Sequence, residues 1–307
     1  MLVAGATGAI GRPLVQLLRE AGHEVIAMTR SRGRADALRA DGCEAVVCDA
    51  LDADAVMAAV GAAAPDTVID QLTNIPKTLE PRNYRTQLAP TNALRRHGTR
   101  NLVTAATAAG ARRLIAQSVA FAYAPTGGPI KDEQAPLALH SPPPMDEVVG
   151  AIVELERQIL AAGGLVLRYG LLYGPGTQFA PDGFYAAAAR KRMFPIVGTG
   201  AGIWSFIHVD DAAAATLAAV TRGEPGIYNV VDDEPVAVRD WIPVFARSVG
   251  AGRQLRVPTL VGRLAGGRAA VAAMTTQRGA SNAKARRELG WTPAHASWRD
   301  GLAAAAA

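Results

Sequence analysis

Three glycines at three-residue spacing, Gly5, Gly8 and Gly11, open the chain, and the chemistry they suit is the holding of a pyrophosphate. Gly5 permits a tight turn and Gly8 lets backbone come close to an anion. Gly11 lets a helix pack tightly on a strand while its free N–H groups face the phosphates. Thr7, Ala9 and Ile10 fall in the same turn and are expected at the cofactor. About twenty residues further on, where a carboxylate would hold a ribose 2′-hydroxyl, stands Arg30; a guanidinium there suits a 2′-phosphate, so NADP(H) is favoured over NAD(H). Asp49, with Ala50 and Leu51 behind it, ends another apolar segment and is expected to meet the adenine. Ser118, Tyr123 and Tyr169 follow later apolar segments and are the hydroxyls that could give up a proton. Phe121, Tyr123, Trp204 and Phe206 are the candidates for lining a flat apolar substrate pocket.

A regular frame must position these residues. Apolar segments at the N-terminus, Glu24 to Met28, Ala45 to Val47, Thr67 to Ile69, Leu114 to Gln117 and Leu165 to Arg168 alternate with helical patterns. Such alternation predicts an α/β fold, a Rossmann doubly wound parallel sheet with a smaller C-terminal substrate lobe. The dinucleotide-binding part is expected over residues 1–175, with some later segments returning to it, and the substrate lobe mainly over residues 176–307. Thr73 to Pro90 reads as a long loop and Pro125 to Pro144 as a lid; the long helix between them is expected over Asn92 to Ala109. The terminal alanine run is expected as frayed helix.

The bulk properties exclude other classes. The net charge of +5 over 307 residues is spread along the chain, so nucleic-acid binding is not implied. Two cysteines give no disulfide framework, and His23, His97 and His295 have no clustered partners in sequence, so no metal site is expected. His208, ahead of Asp210 and Asp211, reads as a helix cap. No apolar run approaches membrane-spanning length, and with the first strand starting at once a cytoplasmic protein, monomer or homodimer, is expected. Aromatic residues are few, so alanine and valine are expected to dominate the core.

Taken together, Gly5 to Gly11, Gly98-Thr-Arg-Asn-Leu102, Ser118 ahead of Tyr123, Leu167 to Gly176, Phe206 to Asp211, Tyr228 to Val231 and Leu289 to Pro293 resemble an extended short-chain dehydrogenase/reductase. That superfamily includes nucleotide-sugar epimerases and dehydratases. The resemblance implies a nicotinamide ring beneath the strand ending at Gln117. It sets Tyr169, Gly170 and Leu172 beside that ring and Gln71, Leu72 and Thr73 near its ribose. It also implies a Tyr-x-x-x-Lys pair and an upstream Ser or Thr, and here the sequence departs. Aligned on Glu156 to Ile159, the tyrosine and lysine positions hold Val148 and Ile152; aligned on Tyr123, the hydroxyl position holds Val119.

Loss of a general acid removes a factor of about 10² to 10⁴ in rate. Holding the reactants in attack geometry contributes roughly 7 to 11 kcal/mol, so hydride transfer survives the loss better than epimerisation or dehydration. The pattern resembles atypical reductases of bacterial aromatic polyketide pathways, among them the angucyclinone ketoreductases. It implies an NADPH-dependent ketoreductase acting on a bulky apolar ketone, with the proton coming from substrate, water or a tyrosine. A non-catalytic nicotinamide-sensing module and a nucleotide-sugar enzyme are the alternatives.

Overall fold

The computed structural model describes residues 1–80 and 83–304; of the alanine run, residues 305–307 lie outside the described part. Short apolar segments build one sheet of seven strands: β1 (Leu2–Ala4), β2 (Ile26–Thr29), β3 (Glu44–Val47), β4 (Thr67–Asp70), β5 (Arg113–Val119), β6 (Leu165–Tyr169) and β7 (Gly226–Val230). Every pairing is parallel, and the order is β7-β6-β5-β4-β1-β2-β3. The winding reverses between β1 and β4, and the crevice beyond the carboxyl ends of strands at such a point is where this architecture receives ligands.

Helices cover both faces because both faces of the sheet are apolar. On one side lie α1 (Gly11–Glu20), which buries Leu14, Val15 and Leu18, and α2 (Arg32–Ala40). On the other lie α3 (Ala53–Ala63), α4 (Tyr84–Ala93), a π-helical turn (Leu94–Gly98), α5 (Thr99–Ala108) and α6 (Met145–Ala161). Further along, α7 (Phe184–Arg190) belongs to the smaller lobe, whereas α8 (Val209–Thr221) packs its alanine face beside α1.

The expected loop from Thr73 to Pro90 is cut short, since α4 begins at Tyr84 and runs through Pro90. Proline normally breaks a helix by removing one N–H bond and crowding the preceding turn. Here the tertiary contacts outweigh it: Thr91 and Asn92 are buried, and the Thr91 hydroxyl accepts a bond from the Asn74 backbone at 3.1 Å. The π-helical turn follows at once.

Core composition also differs between lobes. Around the sheet it is alanine, valine and leucine, as expected. In the smaller lobe the aromatic residues collect in one cluster with Phe179, Phe194, Trp204, Phe206, Trp241, Phe245 and Trp298, so the low aromatic count hid a locally aromatic core.

Candidate cofactor and substrate cleft

The carboxyl ends of the strands open into one cleft of about 2370 Å³, larger than the roughly 300–1,000 Å³ of an ordinary small-ligand pocket and ample for a dinucleotide with an organic guest. At its first end the backbone of residues 7–9 is accessible between β1 and α1. Gly5 has φ +82°, and a Cβ there would overlap the carbonyl of Gln71 at the end of β4. A Cβ at Gly11 would overlap the Gly5 carbonyl. Gly11 and Ile10 do not line the cleft; Ile10 turns into the core and Gly11 sets the approach of α1, while Gly5, Thr7, Gly8 and Ala9 of the turn line it.

Arg30, Asp49, Ala50, Leu51, Leu72 and Thr73 line the same end. The Asp49 carboxylate accepts from the Leu51 backbone at 3.0 Å, which shapes the turn after β3. Arg30 donates to Asn74 Oδ1 at 3.3 Å, and Arg34, which the sequence did not single out, donates to Thr7 Oγ1 at 3.4 Å. Both guanidiniums are exposed at the mouth. Deeper in, Gln71 Oε1 and Gln117 Nε2 are buried with no hydrogen-bond partner among the described residues. A close-backbone turn, two basic side chains and unpaired amide groups at the ends of β4 and β5 fit a nicotinamide dinucleotide laid across the strand ends.

The second end of the cleft, beyond β5 and β6, holds the candidate proton donors, and each is already engaged. The Ser118 hydroxyl donates to Glu156 Oε1 at 2.7 Å. Glu156 in turn receives Arg168 through Nε at 2.8 Å and Nη2 at 2.6 Å, a bidentate ion pair buried between α6 and β6. Tyr123 accepts from Arg168 Nη1 at 2.9 Å and donates to Asn229 Oδ1 at 2.7 Å. Burial holds its phenol above the ordinary range. Tyr169 accepts from Gln71 Nε2 at 3.0 Å and meets Thr216 Oγ1 at 2.6 Å. Because the Thr216 hydroxyl donates to the Ala212 carbonyl at 2.7 Å, the proton of Tyr169 is directed at Thr216, and burial pushes this phenol up to about 12.

Around these closed groups the wall is apolar. Val119, Val148, Phe121, Gly170 and Leu172 line it, while Ile152 lies behind in the α6 core. Of the expected aromatic wall, Phe206 is a correction: it is 1% exposed inside the aromatic cluster and does not reach the cleft, because β-strand alternation turns it toward Trp241 and Trp298. Trp204 reaches the cleft only at its edge, with its indole N–H bonded to the Ala273 carbonyl at 2.8 Å.

His295 is another correction. It stacks on His208 at 3.9 Å between ring centroids and bonds Asp211 Oδ2 at 2.9 Å, although the two histidines are far apart in sequence. The ligand atoms of His208, Asp211 and His295 lie within 4.8 Å of one another. The Asp211 carboxylate also accepts the Ala294 and His295 backbone N–H groups at 2.7 and 3.0 Å, so the cluster fastens the C-terminal segment to α8.

The sequence model of the NAD dependent epimerase/dehydratase family matches residues 1–230. The chain belongs to that family. Among its relatives, the 3-diazoavenalumate denitrifying reductase of a Streptomyces species is 48% identical over 305 residues, covering 98% of both chains. The 2′-dehydrokanamycin reductase of Streptomyces kanamyceticus is 28% identical over 78% of this chain and 64% of its own. Solved structures with the same fold include the dTDP-glucose 4,6-dehydratase DesIV of Streptomyces venezuelae with NAD, at TM-score 0.77 and 20% identity over 99% of this chain and 95% of that one. The UDP-glucose 4-epimerase of Thermus thermophilus with NAD has TM-score 0.75 and 21% identity over 99% and 97%. Within the family fold, the polar side chains at the ends of β5 and β6 here form an internal network.

Proposed function

We propose that this protein is a nicotinamide-dependent reductase that removes the diazo group of an aromatic acid, releasing dinitrogen. The observation that carries this reading is the closed state of Ser118, Tyr123 and Tyr169 beside the apolar Val119 and Val148. A reduced nicotinamide bound in the cleft supplies hydride. An arenediazonium that gains a hydride becomes an arene and dinitrogen, with charge balanced and no proton required. A ketone that gains a hydride becomes an alkoxide and must find a proton. An end whose candidate hydroxyls Ser118, Tyr123 and Tyr169 hold their protons inward suits the first balance better than the second. The role left to the protein's own residues is to orient the ring against the apolar wall and exclude water. The 48%-identical relative, a denitrifying reductase of a diazo compound, supports the same substrate class.

Arg30 and Arg34 favour the 2′-phosphate, hence NADPH. Reduction of a ketone is the second reading, supported by the 28%-identical relative named 2′-dehydrokanamycin reductase. The test is to mix the protein with NADPH and either a diazo-hydroxycinnamate or a hydroxyaryl ketone. The expected result is one dinitrogen released per NADPH consumed; because the diazophenol enters as its phenolate and leaves as a phenol, one proton is also taken up from the medium, after the hydride step. NADPH consumption with ketone alone would replace the first reading by the second. Cofactor binding with no turnover on either panel would overturn both in favour of a sensing module.

A further inference from the structure

Arg95 sits in the π-helical turn Leu94–Gly98 and is only 8% exposed. An arginine in the middle of a long helix ordinarily reaches solvent. The structure turns it inward instead. Thr91, Arg95 and Thr99 are spaced at four residues and share the helix face directed at the ends of β4 and β5. Thr91 is bonded to the Asn74 backbone at 3.1 Å and Thr99 to Asp70 Oδ2 at 2.7 Å. Arg95, between them, makes no side-chain hydrogen bond and no salt bridge among the described residues, and it lines the cleft.

The two carboxylates within electrostatic reach are occupied. Asp70 accepts from Thr99 and from the Leu72 backbone at 3.0 Å, and Glu156 holds Arg168 and Ser118. They allow a buried guanidinium to stay charged without using its donors; burial still lowers it to about 10. With no protein acceptor among the described residues, its donors open only into the cleft, where water or an anionic ligand must meet them. Leu72, Val119, Val148 and Val149 line the same cleft, a surface for a hydrocarbon body. The basic side chains suited to the cofactor phosphates, Arg30 and Arg34, are exposed at the mouth, whereas Arg95 is buried.

The geometry points to Arg95 as the anchor for an anionic oxygen of the organic substrate, a carboxylate or a phenolate, received at the inner end of the cleft. This deepens the acid substrate class proposed above and rests on it. Its test is binding alone, so the chemistry can fail while the anchor stands, and the reverse.

Titration calorimetry on the NADP-loaded protein would use para-hydroxycinnamate, its carboxamide and its methyl ether as probes. Arg95→Gln is expected to weaken para-hydroxycinnamate by about 10- to 100-fold, the usual range for a hydrogen bond to a charged group, with Arg95→Lys recovering part of the loss. Loss of the Arg95 dependence in the carboxamide assigns the carboxylate; loss in the methyl ether assigns the phenolate. Either supports the anchor. NADP affinity measured on both variants is expected to be unchanged, which also reports that they fold. An equal loss for all three probes, or a loss confined to NADP, would overturn the proposal, the latter by assigning Arg95 to the cofactor.

Discussion

The two ends of the cleft are built on opposite plans. At the β1–β3 end the wall is backbone and exposed arginine, with N–H groups and guanidiniums open to a ligand. Beyond β5 and β6 the residue types are chemically richer, yet serine, tyrosine, glutamate and arginine are bonded to one another: Ser118 to Glu156, Glu156 to Arg168, Arg168 to Tyr123 and Tyr123 to Asn229. At the first end the polar groups are open; at the second these side chains fasten one another. A hydroxyl at a strand end in this fold is evidence for catalysis only if its proton is available, and here the three candidates have theirs directed inward.

The hardest test of that contrast is to open the network. Arg168→Met leaves Glu156 as an uncompensated buried carboxylate, and removal of one partner from such a pair typically costs about 3 to 5 kcal/mol. Denaturant unfolding of the variant is expected to show a loss of that size. The double variant Arg168→Met with Glu156→Leu is expected to recover much of it, because no stranded charge remains. NADPH affinity should be unaffected in the folded fraction. A single variant of undiminished stability that had lost turnover would break the contrast, since the network would then be chemical and not structural.

At the open end the expected change is in the ligand and not in the fold. Arg30→Ser combined with Arg34→Ser removes two exposed guanidiniums whose side-chain hydrogen bonds among the described residues go to Asn74 and Thr7. NADPH affinity, followed by its fluorescence on binding, is expected to fall about tenfold, roughly 1.4 kcal/mol, while NADH affinity stays constant. Equal weakening of both would mean that the arginines hold the turn in shape and do not read the phosphate.

The same contrast explains what could be read from residue order. The cofactor end is local: Gly5 to Gly11 build their turn from backbone requirements, and the strand–helix alternation sets Arg30 and Asp49 at strand ends, so both the sheet and this half of the site were legible. The other end is assembled from residues 12 to 106 positions apart, from Glu156 and Arg168 to Tyr123 and Asn229, and no spacing rule announces such pairs. Phe206 was misplaced because an alternating strand gives two choices of face, and only the aromatic cluster decides between them. Arg95 did carry a signal, its four-residue spacing with Thr91 and Thr99. The Pro90 that suggested a loop boundary concealed that all three belong to one continuous helical face.

The smallest expected effect concerns another closed cluster, the stacked His208 and His295. Burial, and then the neighbouring imidazole, hold His208 below its ordinary 6.5. The folded state therefore binds fewer protons than the unfolded chain just beneath that value, and stability rises with pH wherever the unfolded state binds more. The His208 contribution to stability is expected to be flat above pH 6.5 and to decline as pH falls through it, until the depressed folded value is passed; each unit of depression corresponds to about 1.4 kcal/mol. Thermal unfolding of His208→Gln across the same window should show a shallower slope. NADPH affinity, governed by the open end, should carry no matching inflection. If it did, the histidine pair would be coupled to the cofactor cradle, and the division of the cleft into an end with open polar groups and an end with fastened ones would have to give way to one connected network.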